Sequence, residues 1–164
     1  MKKIFPLALA VILLTGCGKA TLLNNPKDED VNNALKEIEG VTKTCMITEE
    51  NDPNGNLNKK GGYTGAIYFR LSQVDDAIKE EEYSTPLGND ACEVGTTGGG
   101  QIEIYANKKD AEARLKYLDA LNHIGGIEYQ TTEGTLVIRI SEKLTSKQQK
   151  DIASKIINKL SKEN

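Results

Sequence analysis

From residue 101 onward the chain reads QIEIYANKKDAEARLKYLDALNHIGGIEYQTTEGTLVIRISEKLTSKQQKDIASKIINKLSKEN, positions 101–164. Gln101 to Tyr105 alternates polar and apolar residues, the period of a strand. Asn107 stands where a helix N-cap belongs, and Ala111, Leu115, Leu118 and Leu121 then recur at helical spacing up to Gly125-Gly126. Ile127 to Thr131 and Thr135 to Ile140 read as two strands around a tight turn at Thr132-Glu133-Gly134. Thr145 with Gln148 forms a capping box that opens a last helix. Ile152, Ile156, Ile157 and Leu160 line one face of that helix. Lys147, Lys150, Lys155 and Lys159 lie mostly away from it, a solvated face whose last members suit the helix C-terminal dipole. Strand, helix, two strands, helix is the order of an antiparallel sheet with helices packed on one face, which is an α+β domain.

Upstream the same grammar continues. Asp30 is a candidate N-cap, Val31, Ala34, Leu35 and Ile38 share a helical face, and Gly40 suits a helix C-terminus. Val41 to Thr48 is rich in β-branched residues, and strand alternation puts Val41, Cys45 and Ile47 on one side. Tyr63 to Leu71 is a second strand with Tyr63, Ile67, Phe69 and Leu71 on a shared face. Val74 to Thr97, with Asp75, Asp76, an acidic run from Glu80 to Glu82, Pro86 and Gly88, reads as mainly loop with room for one turn of helix. Residues 30–164 therefore form a single domain with two or three helices on its sheet.

The first residues are not part of that domain. Lys2 and Lys3, an apolar run from Ile4 to Leu14, and Leu14-Thr15-Gly16-Cys17 reproduce a bacterial lipoprotein signal peptide, positions 1–16. The apolar run is too short to span a bilayer, which takes roughly 20 residues. Cys17 is then the lipidated first residue of the mature protein, and acyl chains at ~0.8 kcal/mol per buried methylene make a lasting anchor. Positions 17–29, with Asn24-Asn25-Pro26 and a charge run, read as a flexible tether.

Removing Lys2 and Lys3 makes the formal charge of −3 two units more negative. Such an acidic surface opposes binding to nucleic acid, whose affinity rests on basic side chains neutralising phosphates. It also leaves membrane contact to the acyl chains. Apart from Cys17 the chain holds Cys45 and Cys92, which in an oxidising compartment pair with each other by default. With His123 the lone imidazole, these thiols make too few soft ligands for zinc. No other cofactor is implied.

Three clusters carry candidate chemistry. Glu50, Asp52 and Asn54 fall at alternate positions of a calcium-type loop, with Gly55 at its sharp turn and Leu57 pointing inward. Gly61 stands where the bidentate glutamate belongs, so the loop, which also holds Asn56 and Asn58, reads better as consecutive turns. Gly95 to Gly100 precedes a strand instead of opening a helix, so it is not a phosphate loop. Flexible entry to the strand, or close backbone approach, explains it. His123 lacks a partner nucleophile in any Gly-x-Ser-x-Gly elbow. A carboxylate pair for glycan hydrolysis is spatial and invisible in one sequence.

Asn51-Asp52-Pro53-Asn54-Gly55, Gly61-Gly62-Tyr63-Thr64, Gly98 to Asn107 with Asp110-Ala111-Glu112, and Leu144-Thr145 with Gln148-Gln149 together resemble a family of small lipoproteins from low-GC Gram-positive bacteria. The likeness runs roughly from Val41 to Leu160 and implies a lipid-anchored protein on the outer face of the cell membrane, with no activity attached. In a Gram-negative source, Gly18 after the lipidated cysteine would favour the outer membrane. The element order from Gln101 onward is also similar to SPOR-type domains, which bind peptidoglycan. The expectation is a non-catalytic binding domain at the membrane–wall interface, meeting peptidoglycan or another envelope protein. Its expected contact surface is a sheet face or the two loops, Glu50 to Asn58 and Gly98, Gly99 and Gly100 with their neighbours. The alternative is a surface hydrolase with an unrecognised carboxylate site.

Overall fold

Strand pairing in this protein follows the hydrophobic alternation and then exceeds it. A computed structural model describes residues 22–80, 88–125 and 128–162. The signal peptide, Cys17 and the His123 side chain lie outside the described residues. In chain order the elements are α1 (Asp28–Lys36), β1 (Val41–Met46), β2 (Gly65–Leu71), α2 (Ser72–Glu80), α3 (Ala91–Val94), β3 (Gly99–Ile104), α4 (Lys108–Gly125), β4 (Tyr129–Glu133), β5 (Leu136–Ile140) and α5 (Ser146–Ser161). The five strands make one sheet in the order β1-β2-β3-β5-β4, and every neighbouring pair is antiparallel. The class is α+β, with five α-helices and a 3-10 turn at Gly95–Gly98 among the described residues, where two or three helices were expected.

Helices cover both faces of this sheet, where one face was expected. On the first face Ile67, Phe69, Leu71, Ile102, Ile104, Leu136, Ile138 and Ile140 meet α1, α2 and α5. On the second, Ala66, Tyr68 and Val137 meet Ala91 of α3, Ala111 and Leu118 of α4, and Leu57 and Tyr63 of the long loop. Every residue of β2 and β3 is consequently buried. Polar residues that alternation assigns to water, Gln101 and Glu103 among them, lie inside.

Several local expectations change for identifiable reasons. Val41 pairs with Leu71 but Lys43 pairs with Arg70, so a bulge at Thr42 shifts the register. Val41 therefore packs on the first core, while Cys45 and Ile47 pack on the second. Tyr63 precedes the strand proper and joins the second core, apart from Ile67, Phe69 and Leu71. Within the stretch expected to be mainly loop, α2 is a nine-residue helix whose Val74 and Ile78 are buried one turn apart. Its acidic Asp75 is not solvated padding but the ion-pair partner of buried Arg70.

The described part of the expected tether is docked. Leu22 N–H donates to Leu160 O, and Thr135 N–H to Leu23 O, at 2.9 and 2.8 Å. Both leucines pack on the first core. α1 starts at Asp28, with Lys27 instead of Asp30 at its N-cap and three acids in its first turn. Leu121, expected on the buried stripe of α4, is 46% exposed. The capping box of Thr145 and Gln148 is present, and Ile152, Ile156 and Leu160 are buried. The β4–β5 turn falls two residues later than expected: Glu133 still pairs with Leu136, and Gly134 carries the turn at φ +60°.

Candidate functional site

The second sheet face carries a polar row. Cys45, Tyr68, Gln101, Arg139 and Gln130 are successive cross-strand partners, so their side chains share that face. Beside them Glu103 is completely buried. Arg114, projecting from α4, clamps it with two bonds, Nε to Oε2 at 2.9 Å and Nη2 to Oε1 at 2.8 Å. Tyr105 donates its hydroxyl to the same Oε2 at 2.8 Å, and Arg139 Nη1 lies 3.6 Å from Oε1. Arg139 also grips Glu128 through Nε and Nη2 at 2.9 and 3.1 Å, and donates to Gln101 Oε1 at 2.9 Å. Two carboxylates and two guanidiniums thus neutralise one another under α4. Burial disfavours the charge on Arg114, but the hydrogen bonds and charge of Glu103 outweigh it and hold the guanidinium more firmly protonated. Burial, then the Glu103 charge, push the Tyr105 phenol well above its ordinary value.

The long loop is organised by Asp52. Its Oδ1 accepts from Asn54 N–H at 3.0 Å and from the Tyr63 hydroxyl, and its Oδ2 accepts from Leu57 N–H at 2.8 Å. Burial raises the carboxyl's proton affinity, yet the bonds from Tyr63, Leu57, Asn54 and Asn56 prevail and hold it below the ordinary range. Tyr63 in turn is pushed far up, by burial first and then by Asp52. Its ring meets Tyr105 edge-on, centroids 6.5 Å apart. The carboxylate that a cation would need therefore faces N–H and O–H donors. Glu50, Asn54, Asn56 and Asn58 are exposed around it, and the calcium reading of Glu50, Asp52 and Asn54 gives way to a hydrogen-bonded turn.

Between this loop and α4 lies a cleft of about 270 Å³. Asn56, Lys60, Gly61 and Gly62 form one wall. Tyr105 lies at its base, and Asp110, Arg114 and Tyr117 of α4 form the other wall. Tyr117 is 57% exposed, one of two large apolar side chains so open among the described residues. The Arg114 guanidinium sits 5.5 Å from its ring centroid. The Nη1 of Arg114 makes no hydrogen bond among the described residues. An unbroken chain of contacts, Asp52 to Tyr63 to Tyr105 to Glu103 to Arg114 to Tyr117, ties the two walls together.

Cys45 and Cys92 form a disulfide with Cα atoms 5.5 Å apart, fastening α3 to β1. They and Asp90 are the one three-residue grouping of His, Cys, Asp or Glu ligand atoms among the described residues. The disulfide spends both sulfurs, and Asp90 caps α3 through Cys92 and Glu93 N–H. Gly98, Gly99 and Gly100, expected as a contact loop, are buried instead. A side chain at Gly99 would strike Phe69 O, and one at Gly100 would strike Arg139 O and the Phe69 ring. Close backbone approach is the reason for these glycines. No helix among the described residues is long and apolar enough to cross a membrane.

The sequence reading missed the buried ion network, although a signal was present. The chain has eighteen lysines and only three arginines, Arg70, Arg114 and Arg139. Every arginine is nearly buried and paired with a carboxylate, the role for which a planar, permanently charged fork is preferred over an ammonium. No protein-family model matches the chain, and neither a curated protein nor a solved structure is significantly similar to it.

Proposed function

We propose that this chain is a lipid-anchored, extracytoplasmic binding domain at the membrane–cell wall interface, and that it binds through the cleft between residues 56–62 and α4. The observation that carries the reading is a contrast in how polar groups are used. The buried acids and bases that resemble catalytic machinery, Glu103, Glu128, Arg114 and Arg139, are spent on one another. The cleft edge instead offers Lys60, Asn56, the outer nitrogen of Arg114 and an open aromatic ring. Among the described residues Asp110 is the one carboxylate lining that cleft, whereas glycoside hydrolysis needs two. The lipoprotein-type signal ending at Cys17, the resemblance to small envelope lipoproteins and the disulfide, at home in an oxidising compartment, support the location.

Metabolic labelling with a fatty acid tests the anchor: the wild-type chain takes up label, and Cys17→Ser does not. Label retained by the serine variant overturns that part of the reading. Incubation of the full chain with isolated cell envelope tests the binding role. Retention of the protein on wall material supports it. Turnover of a wall substrate that a carboxylate substitution abolishes would establish the hydrolase instead.

A further inference from the structure

We infer that the cleft between the 56–62 loop and α4 holds one neutral pyranose ring of an envelope glycan; the inference rests on the binding-domain reading above. Its size sets the first limit. The cleft is open on its outer side, and its volume of about 270 Å³ has room for a single ring.

The lining sets the second. Tyr117 presents an exposed apolar ring braced from one side by Arg114, a surface for the C–H face of a sugar. Around it stand polar groups: the Asn56 amide, the Asp110 carboxylate, whose Oδ2 already accepts from Asn107 Nδ2 at 2.8 Å, and Nη1 of Arg114, which makes no hydrogen bond among the described residues. Vicinal hydroxyls, each both donor and acceptor, are the groups that satisfy such a mixture. The charges in and directly beneath the cleft, Lys60 and Arg114 against Asp110 and Glu103, balance, which favours a neutral ring over an anionic one.

The walls are also set before any ligand arrives. Asp52 and Tyr63 fix the loop, and Glu103 fixes Arg114, so little ordering entropy opposes binding. Gly61 and Gly62 put backbone rather than side chain at the rim; a Cβ on Gly62 would strike Asn56 O.

The test titrates the full chain in detergent micelles with a neutral N-acetylglucosamine oligomer and, separately, with a glucuronate oligomer of equal length, following backbone amides by NMR. The expected result is saturable shifts confined to residues 56–62 and 110–117 with the neutral sugar, and weaker ones with the acidic one. Tyr117→Ala should weaken binding at least about tenfold without changing the melting temperature, and Lys150→Ala, exposed on α5 away from the cleft, should change it less than about twofold. Absence of those shifts, tighter binding of the glucuronate, or unchanged affinity in Tyr117→Ala overturns the assignment. Retention on isolated envelope separates the two layers of the argument. If wild type and Tyr117→Ala are retained equally, the binding role stands and the sugar site falls; if neither is retained, both fall.

Discussion

The Tyr63 hydroxyl donates to Oδ1 of Asp52, joining the start of the long loop to the residue where it returns to the sheet. Because Tyr63 also packs edge-on against Tyr105, this bond couples a surface loop to the second core. Bonds internal to the protein thus hold the loop.

Asp52→Ala should destabilise the fold by about 2 kcal/mol, since it strands Leu57 and Asn54 N–H and the Tyr63 hydroxyl together. Tyr63→Phe should cost about 1 kcal/mol, one hydrogen bond. Millimolar calcium should leave the wild-type melting temperature unchanged. Urea titration checks the two variants and thermal unfolding with and without calcium checks the third, where a calcium-dependent rise in midpoint would restore the metal-loop reading.

The same pair sets a pH window. Asp52 binds its proton less tightly when folded than at its ordinary value of 3.8, so its stabilisation is complete above that value and disappears as pH falls through the lower folded one. Tyr63 and Tyr105 bind theirs more tightly than the ordinary 10.0, so their contribution is complete below that value and declines as pH rises past it. Melting temperature should therefore be flat from about pH 5 to 9 and fall on both sides. A Tyr63→Phe variant should show a shallower alkaline fall; an identical slope would assign the effect elsewhere.

Breaking the Glu103–Arg114 clamp should be severe. Arg114→Met leaves a buried carboxylate with Arg139 as its only guanidinium partner, and should cost about 3–5 kcal/mol. Arg114→Lys should recover little of this, because an ammonium cannot supply the two-pronged bond. Equilibrium unfolding of the two variants, read by circular dichroism, decides the matter. Stability of the lysine variant close to wild type would mean that charge alone suffices.

Alkylation of the unreduced protein should leave Cys45 and Cys92 unmodified. The double serine variant should lose up to about 4 kcal/mol, as expected for a crosslink closing a loop of this length. Capture of both thiols by the alkylating reagent, seen by mass spectrometry, would refute the pairing.

Gly100→Ala should be worse than a typical surface change, by more than about 2 kcal/mol, because the added methyl meets the Phe69 ring and the Arg139 carbonyl. Gly55→Ala meets no neighbouring atom but strains a backbone at φ +60°, and should cost only about 1 kcal/mol. Comparing the two midpoints separates crowding from conformational strain.

Periodicity and caps located most of the regular elements, though not α2 or the cap of α1, because their causes are local. Alternation in Gln101 to Tyr105, the Thr145–Gln148 box and the isoleucines of α5 act within a few residues of themselves, and the observed elements lie where those patterns put them. Cys45 and Cys92 were likewise legible, since two cysteines leave one pairing. Local pattern could not show that α4 would lie across the second face of the sheet. That packing buries Glu103 and turns Arg114, inside an otherwise apolar stripe, into its counterion. Nor could it show that a bulge at Thr42 would reverse the strand's parity, or that Asp52 would turn its oxygens on its own loop. Desolvation, register and the convergence of side chains distant in sequence are properties of the assembled chain, so the ion network, the glycine close contacts and the cleft beside Tyr117 were decided by the tertiary structure alone.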